Sequence, residues 1–156
     1  MKICCFTGHR SLPPAVANAL SHILDRHLAK LAEEGFTEFR TGGALGFDTL
    51  CALRVLSLRE KHPECRLHLI LPCPEQDKYW NAGQRALFRE ILSKADSVHY
   101  VRSAYTPDCM LARNRALLNG ADACVAYLTH NSGGTLYTCK EALRKGIPFV
   151  NLADQI

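Results

Sequence analysis

Residues 36–50 read FTEFRTGGALGFDTL, and they contain a strand, a glycine-rich turn and the start of a helix in succession. The residues 36–40 can form a short strand. The turn follows at residues 41–46, where the glycines allow the backbone to bend tightly and to approach a ligand. From Leu50 onward, leucines recur at the three- to four-residue spacing of a helix. This segment therefore predicts one strand–loop–helix unit.

The same unit recurs along the chain. Short apolar runs predict strands at residues 3–6, 36–40, 67–71, 97–101, 122–128 and 148–152. Helical spacing of apolar residues appears between them. One of these helices is marked by Thr106 as N-cap, Pro107 as first residue and Asp108 as first-turn acid, and it should end near Gly120. Because strands alternate with helices, we expect an α/β fold with a mostly parallel sheet of about six strands and helices on both faces.

Length and composition limit the class of protein. The chain has 156 residues, which is the length of one domain, here residues 1–156. Its 47% apolar and 22% charged residues are typical of a globular protein and exclude disorder and coiled coil. The net charge of +4 is compatible with a phosphorylated ligand. Its basic residues are scattered, which argues against a nucleic-acid partner.

The cysteines point to a reducing compartment. Eight are present, but no pair has the C-x-x-C spacing of a zinc or redox site, so no metal site is predicted. Most lie in apolar segments, where a reduced cysteine behaves as a small hydrophobe. The apolar run at the N-terminus is too short for a signal peptide or a membrane span. We therefore expect a cytoplasmic protein without membrane contact, and a homo-oligomer stays open.

Four loops that each follow a predicted strand carry the unusual residues: residues 7–10, 41–48, 72–80 and 132–135. Such loops open at one edge of a parallel sheet, near the topological switch point, so we expect them to converge there. The second and fourth are glycine turns before helices, whose unpaired N–H groups and partial positive charge suit an anion. The alternative is that the glycines serve only the turns and that Ser132 and Thr135 only cap a helix.

Several polar side chains near these loops have two interpretations. Asp48, in the first turn of its helix, either complements the helix dipole or accepts hydrogen bonds from ribose hydroxyls. Asn114 interrupts an apolar stripe that runs from Met110 to Leu117, and it either bonds the local backbone or faces a ligand. Arg113 beside it, like Arg10, is either a surface charge or a cation for phosphate or carboxylate.

The loop at 72–80 contains Gln76 and the only tryptophan, Trp80. An aromatic residue in a polar loop either stacks on a base or covers the core. His9 is the only histidine in these four loops. No serine or cysteine and acid can be assigned to it, so a catalytic triad is not supported and the catalytic residues are left unknown.

Five motifs together resemble a known family. They are Thr7-Gly8-His9-Arg10, Thr41-Gly42-Gly43-Ala44-Leu45-Gly46-Phe47-Asp48, Pro72-x-Pro74-Glu75-Gln76 with Trp80, Arg113-Asn114 and Ser132-Gly133-Gly134-Thr135. In this order they resemble the YpsA-like family of the SLOG superfamily, which is named for the Smf/DprA proteins and the LOG enzymes. The resemblance runs from about residue 3 to residue 150. It implies a Rossmann-like three-layer α/β/α sandwich.

The resemblance also implies a nucleotide or an NAD- or ADP-ribose-like ligand, which the protein binds or senses at the carboxyl-end rim of the sheet. Whether the protein is an enzyme stays open. The ligand-binding residues that it implies are Thr7, Gly8, Arg10, Gly42, Gly43, Gly46, Asp48, Gln76, Trp80, Arg113, Asn114, Ser132, Gly133, Gly134 and Thr135.

Two alternative functions follow from more distant branches of the SLOG superfamily. The first is hydrolysis of a nucleotide N-glycosidic bond, as in LOG enzymes, with Glu141 or Asp48 as the acid and Arg113 on the phosphate. The LOG motif P-G-G-x-G-T-x-x-E corresponds here to residues 132–141, which lack the proline and the third glycine. The second is binding of single-stranded DNA, as in the DprA branch, which requires a basic groove with aromatic platforms.

Overall fold

The structure of the chain is a computed structural model that describes residues 1–130 and 133–156. Its strands are β1 (Lys2–Gly8), β2 (Phe36–Thr41), β3 (Arg66–Leu71), β4 (Ser97–Tyr100), β5 (Ala123–Tyr127) and β6 (Phe149–Asn151). Its α-helices are α1 (Pro14–Glu33), α2 (Phe47–Lys61), α3 (Ala82–Lys94), α4 (Cys109–Leu118) and α5 (Gly134–Arg144), and a 3-10 turn covers Leu152–Gln155. In the part of the chain so described, no helix is both long and apolar enough to cross a membrane.

The strands form one parallel sheet in the order β4-β3-β2-β1-β5-β6. From β1 the chain adds β2, β3 and β4 on one side, and it then returns through α4 to place β5 on the other side of β1. The switch point of the sheet therefore lies between β1 and β5, where the loops that follow the two strands diverge. The predicted α/β, Rossmann-like fold is confirmed, and the described strands pair in parallel throughout.

Two apolar layers cover the two faces of the sheet. The larger packs α1, α2 and α3 against one face through residues such as Leu24, Val55 and Phe88. The smaller packs α4 and α5 against the other face and includes Cys5 and Leu117. The side chains of a strand alternate between its faces, so Cys4 lies in the large layer and Cys5 in the small one. All eight cysteines are buried and unpaired, as predicted.

The start of α4 differs from the prediction. Thr106 does not cap the helix, because its hydroxyl donates to Asp108 Oδ1 at 2.7 Å and its carbonyl accepts the Cys109 N–H at 3.1 Å. These two bonds close a turn, so Pro107 precedes the helix, and α4 begins at Cys109 with Asp108 in the cap position. The carboxylate of Asp108 instead binds Arg102 at 3.0 Å. Turn residues here resemble a helix start because both use short polar side chains and proline.

Candidate functional site

A cavity of about 340 Å³ opens at the switch point, at the carboxyl ends of β1 and β5. Its walls come from the loop after β1, the start of α2, one face of α4 and the start of α5. The described residues that line it are Thr7, Gly8, His9, Arg10, Ala44, Asp48, Met110, Arg113, Asn114, Leu117, His130, Gly133, Gly134 and Thr135. Segments far apart in the chain thus meet where ligands bind in open parallel sheets.

Arg113 is the buried cation of this cavity, with only 7% of the residue exposed. Its Nη1 donates to the carbonyl oxygen of Gly42 at 2.6 Å, and its Nε donates to Asn114 Oδ1 at 2.8 Å. Burial lowers the pKa of Arg113, and the nearby charge of Asp48 opposes this effect. Within the described residues, no carboxylate lies within 4 Å of the guanidinium. A buried guanidinium held only by neutral acceptors can still accept an anionic partner.

Asp48 is the acid of the cavity, and it lies in the first turn of α2. Its Oδ2 accepts the N–H of Ala44 at 3.2 Å, whereas its buried Oδ1 has no hydrogen-bond partner among the residues described. Burial raises the pKa of Asp48 to about 6, although the charges of Arg113 and Arg10 and the Ala44 hydrogen bond lower it. The start of a helix favours a carboxylate. The position is therefore compatible with both interpretations of Asp48, and its contact with ribose stays a prediction.

The start of α2 packs directly on the loop after β1. Gly46 has φ +78°, and a Cβ atom there would lie 2.3 Å from the carbonyl oxygen of Arg10. The N–H of Phe47 donates to the carbonyl oxygen of His9 at 3.1 Å. Only glycine meets both requirements, the left-handed backbone and the close approach. Gly46 thus holds the two loops together without lining the cavity itself.

The start of α5 forms the opposite wall. Gly133 occupies the cap position, and no described side chain caps the helix there. Gly133, Gly134 and Thr135 line the cavity, so the first N–H groups of α5 lie at its wall. A helix start in this position attracts anions through its N–H groups and its dipole. Ser132, which was also predicted in this turn, lies outside the described residues.

The structure brings most of the predicted ligand-binding residues to this cavity. Thr7, Gly8, Arg10, Asp48, Arg113, Asn114, Gly133, Gly134 and Thr135 line it. The other described candidates, Gly42, Gly43, Gly46, Gln76 and Trp80, are not among its lining residues. Gln76 donates from Nε2 to the carbonyl oxygen of Gly43 at 2.9 Å, which joins two loops. The ring of Trp80 packs edge-on against Phe88, with centroids 5.1 Å apart, as a cover over the core.

Two histidines line the cavity that sequence reasoning did not place in the site. His9 and His130 stack with centroids 4.2 Å apart. Burial and the charge of His130 lower the pKa of His9. The location of His9 between the candidates Gly8 and Arg10 was a usable signal for it. His130 gives no comparable signal, because its position depends on how the loop after β5 folds back over β1.

Glu141, the acid that the hydrolase alternative shares with Asp48, is not among the residues that line the cavity. Its carboxylate binds Arg144 at 2.7 Å on the surface of α5. Arg144 stands at i+3 from Glu141, a spacing that places the two side chains on one face of the helix. Asp48 is therefore the acid that a reaction in this cavity would use.

These features define the class of protein: a Rossmann-like α/β domain with its cavity at the switch point of a parallel sheet. The sequence profile of the YspA SLOG family (YpsA) matches residues 4–146, and the chain belongs to this family. A UPF0398 protein from Bacillus pumilus (strain SAFR-032) is 30% identical over 152 residues, which cover 91% of this chain and 82% of that protein.

Solved structures with low sequence identity share the fold. DNA processing protein A from Helicobacter pylori, described for its single-stranded DNA binding mode, superimposes with a TM-score of 0.66 at 20% identity, over 95% of this chain. DNA processing protein A from Streptococcus pneumoniae gives 0.66 at 16% identity, also over 95% of this chain. The chain spans 63% of the first protein and 49% of the second. At these identities the likeness concerns the fold alone.

Proposed function

We propose that this protein binds a nucleotide or nucleotide-derived ligand in the switch-point cavity, with the phosphate between Arg113 and the start of α5. The observation that supports this proposal is that two groups of positive charge, the guanidinium of Arg113 and the N-terminus of α5, border one cavity. Arg113 is buried there without a carboxylate within 4 Å among the described residues, and the start of α5, which no described side chain caps, is part of the same wall. An anion could accept hydrogen bonds from the guanidinium and from the first N–H groups of the helix at the same time.

The other lining residues have distinct roles in this proposal. Arg10 is exposed at the cavity and adds a second cation that attracts the ligand. Asn114 fixes Arg113 through the 2.8 Å bond from Nε. Asp48, as an acceptor, suits a sugar hydroxyl. The cavity of about 340 Å³ lies at the small end of ligand pockets, about 300 to 1,000 Å³, and fits one compact polar ligand.

Thermal unfolding with a panel of ligands tests the proposal. The panel contains nucleoside mono-, di- and triphosphates, ADP-ribose and NAD, each near millimolar concentration. A ligand at a hundredfold excess over its Kd stabilises the folded state by about 2.7 kcal/mol, which gives a clear rise in Tm. The same ligand should stabilise Arg113→Ala much less than wild type, whereas Arg26→Ala, which removes an exposed arginine on α1, should behave as wild type. No rise in Tm with any member of the panel would remove the proposal.

Single-stranded DNA is the second candidate, because the structure of the Helicobacter pylori protein was described for its binding of single-stranded DNA. The arginines at the cavity could contact a phosphate of a strand as well as one of a free nucleotide. Binding of an oligonucleotide whose affinity falls steeply with salt, and which a mononucleotide does not displace, would favour DNA. Displacement by a mononucleotide would favour the cavity ligand instead.

Hydrolysis of the ligand is a separate question, and it depends on Asp48. Its raised pKa of about 6 would let it exchange a proton near neutral pH, as a general acid or base must. Incubation of the best-binding nucleotide with the protein, followed by chromatography, distinguishes the outcomes. Free base and sugar phosphate would assign a hydrolase, and recovery of the intact nucleotide would assign binding only. Cytoplasmic location remains part of the proposal, and a homo-oligomer is still open.

A further inference from the structure

A series of aromatic rings leads from the core to the wall of the cavity. Phe47, fully buried, stacks on Tyr127 with centroids 6.0 Å apart and an interplanar angle of 28°. Tyr127 meets His9 edge-on at 5.7 Å, and His9 stacks on His130 at 4.2 Å with an angle of 30°. The series ends at His130, which is an exposed residue and lines the cavity.

The ring of His9 is held in place by the backbone. His9 Nε2 accepts the N–H of Thr129 at 2.7 Å and the N–H of His130 at 3.3 Å. Because Nε2 is the acceptor, His9 is neutral and carries its proton on Nδ1. Each bond ties the loop after β5 to the loop after β1. The ring of His9, on which His130 stacks, is therefore positioned without a ligand, which lowers the entropy cost of stacking a base on the pair.

We infer that the His9–His130 pair is the stacking platform for the nucleobase of the ligand, with the base on His130. This inference rests on the proposed function, and it adds the chemical class of the ligand. A phosphate at Arg113 and the start of α5 leaves the sugar and base to reach the wall formed by His130. Among the described lining residues, only His9 and His130 carry aromatic rings. Trp80, the alternative platform, packs on Phe88 outside the cavity.

The inference predicts a specific order of affinities. A flat ring contributes through stacking, so a nucleoside monophosphate should bind about tenfold more tightly than ribose 5-phosphate, which lacks a base. Stacking does not depend on the hydrogen-bond donors and acceptors of the base, so the identity of the base should change the affinity little. The ligand class is thus a base-bearing monophosphate rather than a sugar phosphate.

Calorimetric titration of AMP, ribose 5-phosphate and inorganic phosphate tests this inference. His130→Ala should weaken AMP binding about tenfold and leave ribose 5-phosphate unchanged, and His130→Phe, which keeps a flat ring, should retain most of the AMP affinity. His99→Ala, at an exposed histidine of the edge strand β4, is the matched control. Circular dichroism and Tm establish that each variant is folded.

The outcomes separate this inference from the proposed function. Equal affinity of the wild type for AMP and ribose 5-phosphate would overturn the platform while the anion site stands. Unchanged AMP affinity in His130→Ala would do the same. Failure of all three compounds to bind would overturn the platform for a monophosphate, whereas the proposed function falls only if the whole thermal panel also fails to raise the Tm.

Discussion

The side chain of Arg113 rests against the backbone of Gly42, 71 residues earlier in the chain. Its Nη1 donates to the carbonyl oxygen of Gly42 at 2.6 Å, and a Cβ atom on Gly42 would lie 2.5 Å from that same nitrogen. The absence of a side chain at Gly42 therefore provides the space that the guanidinium occupies. Gly42 does not line the cavity, yet it determines where the cation of the cavity sits.

Gly42→Ala should displace Arg113 and weaken ligand binding. The backbone of Gly42 is not left-handed, so alanine can adopt it, and the guanidinium must move instead. We expect a loss of affinity of about tenfold, from one impaired charge-assisted hydrogen bond, with the fold retained. Titration of the best ligand of the thermal panel measures this.

Gly83→Ala is the matched control for that substitution. Gly83 lies in the first turn of α3, and its nearest contact for a Cβ atom is Asn81 Oδ1 at 3.6 Å, an ordinary distance. Alanine there should leave ligand affinity unchanged and stabilise the helix by about 0.5 to 1 kcal/mol. If both alanines leave affinity unchanged, Gly42 has no role in positioning Arg113.

Arg113→Ala should lower ligand affinity by about ten- to hundredfold. The reason is the loss of one charge-assisted interaction, about 1.5 to 3 kcal/mol. Arg113→Lys should also bind poorly, because a single ammonium group cannot replace Nη1 and Nε, which hold Gly42 and Asn114. Equal affinities of wild type, alanine and lysine variants would exclude Arg113 from the binding site.

Asp48→Asn should change the pH dependence of stability. The pKa of the buried Asp48 rises from 3.8 to about 6 in the folded protein, so the folded state binds the proton more tightly than the unfolded state. Its favourable contribution is complete below pH 3.8 and is lost as the pH rises to about 6. Since each tenfold shift in proton affinity corresponds to about 1.4 kcal/mol, the loss is about 3 kcal/mol.

Relative to wild type, Asp48→Asn should therefore gain stability as the pH rises from 4 to 7, by up to about 3 kcal/mol. Chemical denaturation at several pH values measures this difference. Asp96→Asn should show the opposite sign. Burial raises the pKa of Asp96, but the hydrogen bond from the Leu67 N–H and the charge of Arg59 lower it by more, so its pKa in the folded protein is lowered. The Asp96→Asn variant should therefore be less stable than wild type at neutral pH. If the stability of wild type and of Asp48→Asn changes equally with pH, the pKa of Asp48 is not raised in the folded protein.

Trp80→Ala should reduce stability without affecting the ligand. The ring packs edge-on against Phe88 and is half-buried, so its removal exposes apolar surface and should cost about 1 to 3 kcal/mol. Ligand affinity, measured below the lowered Tm, should equal that of wild type. A selective loss of affinity, with little change in Tm, would instead support the interpretation that Trp80 stacks on a base.

Local sequence accounts for most of the secondary structure. The apolar run at 67–71 and the glycine turn at 41–46 predicted β3 and the loop before α2, because strand and turn preferences act over a few residues. The predicted start of α4 was wrong by two residues. Its polar turn forms a hydrogen bond between Thr106 and Asp108, which competes with the helix cap that the same residue types would form.

The sequence by itself determined the alternation of strands and helices, and with it a parallel sheet whose loops share one edge. It also pointed to Asp48, because Asp48 follows a glycine turn, and to Arg113, because Arg113 stands beside Asn114, which interrupts an apolar stripe. Only the tertiary structure decided which loops form one cavity. The strand order places β1 next to β5, so that Phe6 pairs with Val125, 119 residues later in the chain, and spacing in the sequence does not predict this pairing. The same packing stacked His9 on His130 and turned Trp80 toward Phe88. Such contacts depend on long-range packing of the two layers, which no local pattern records.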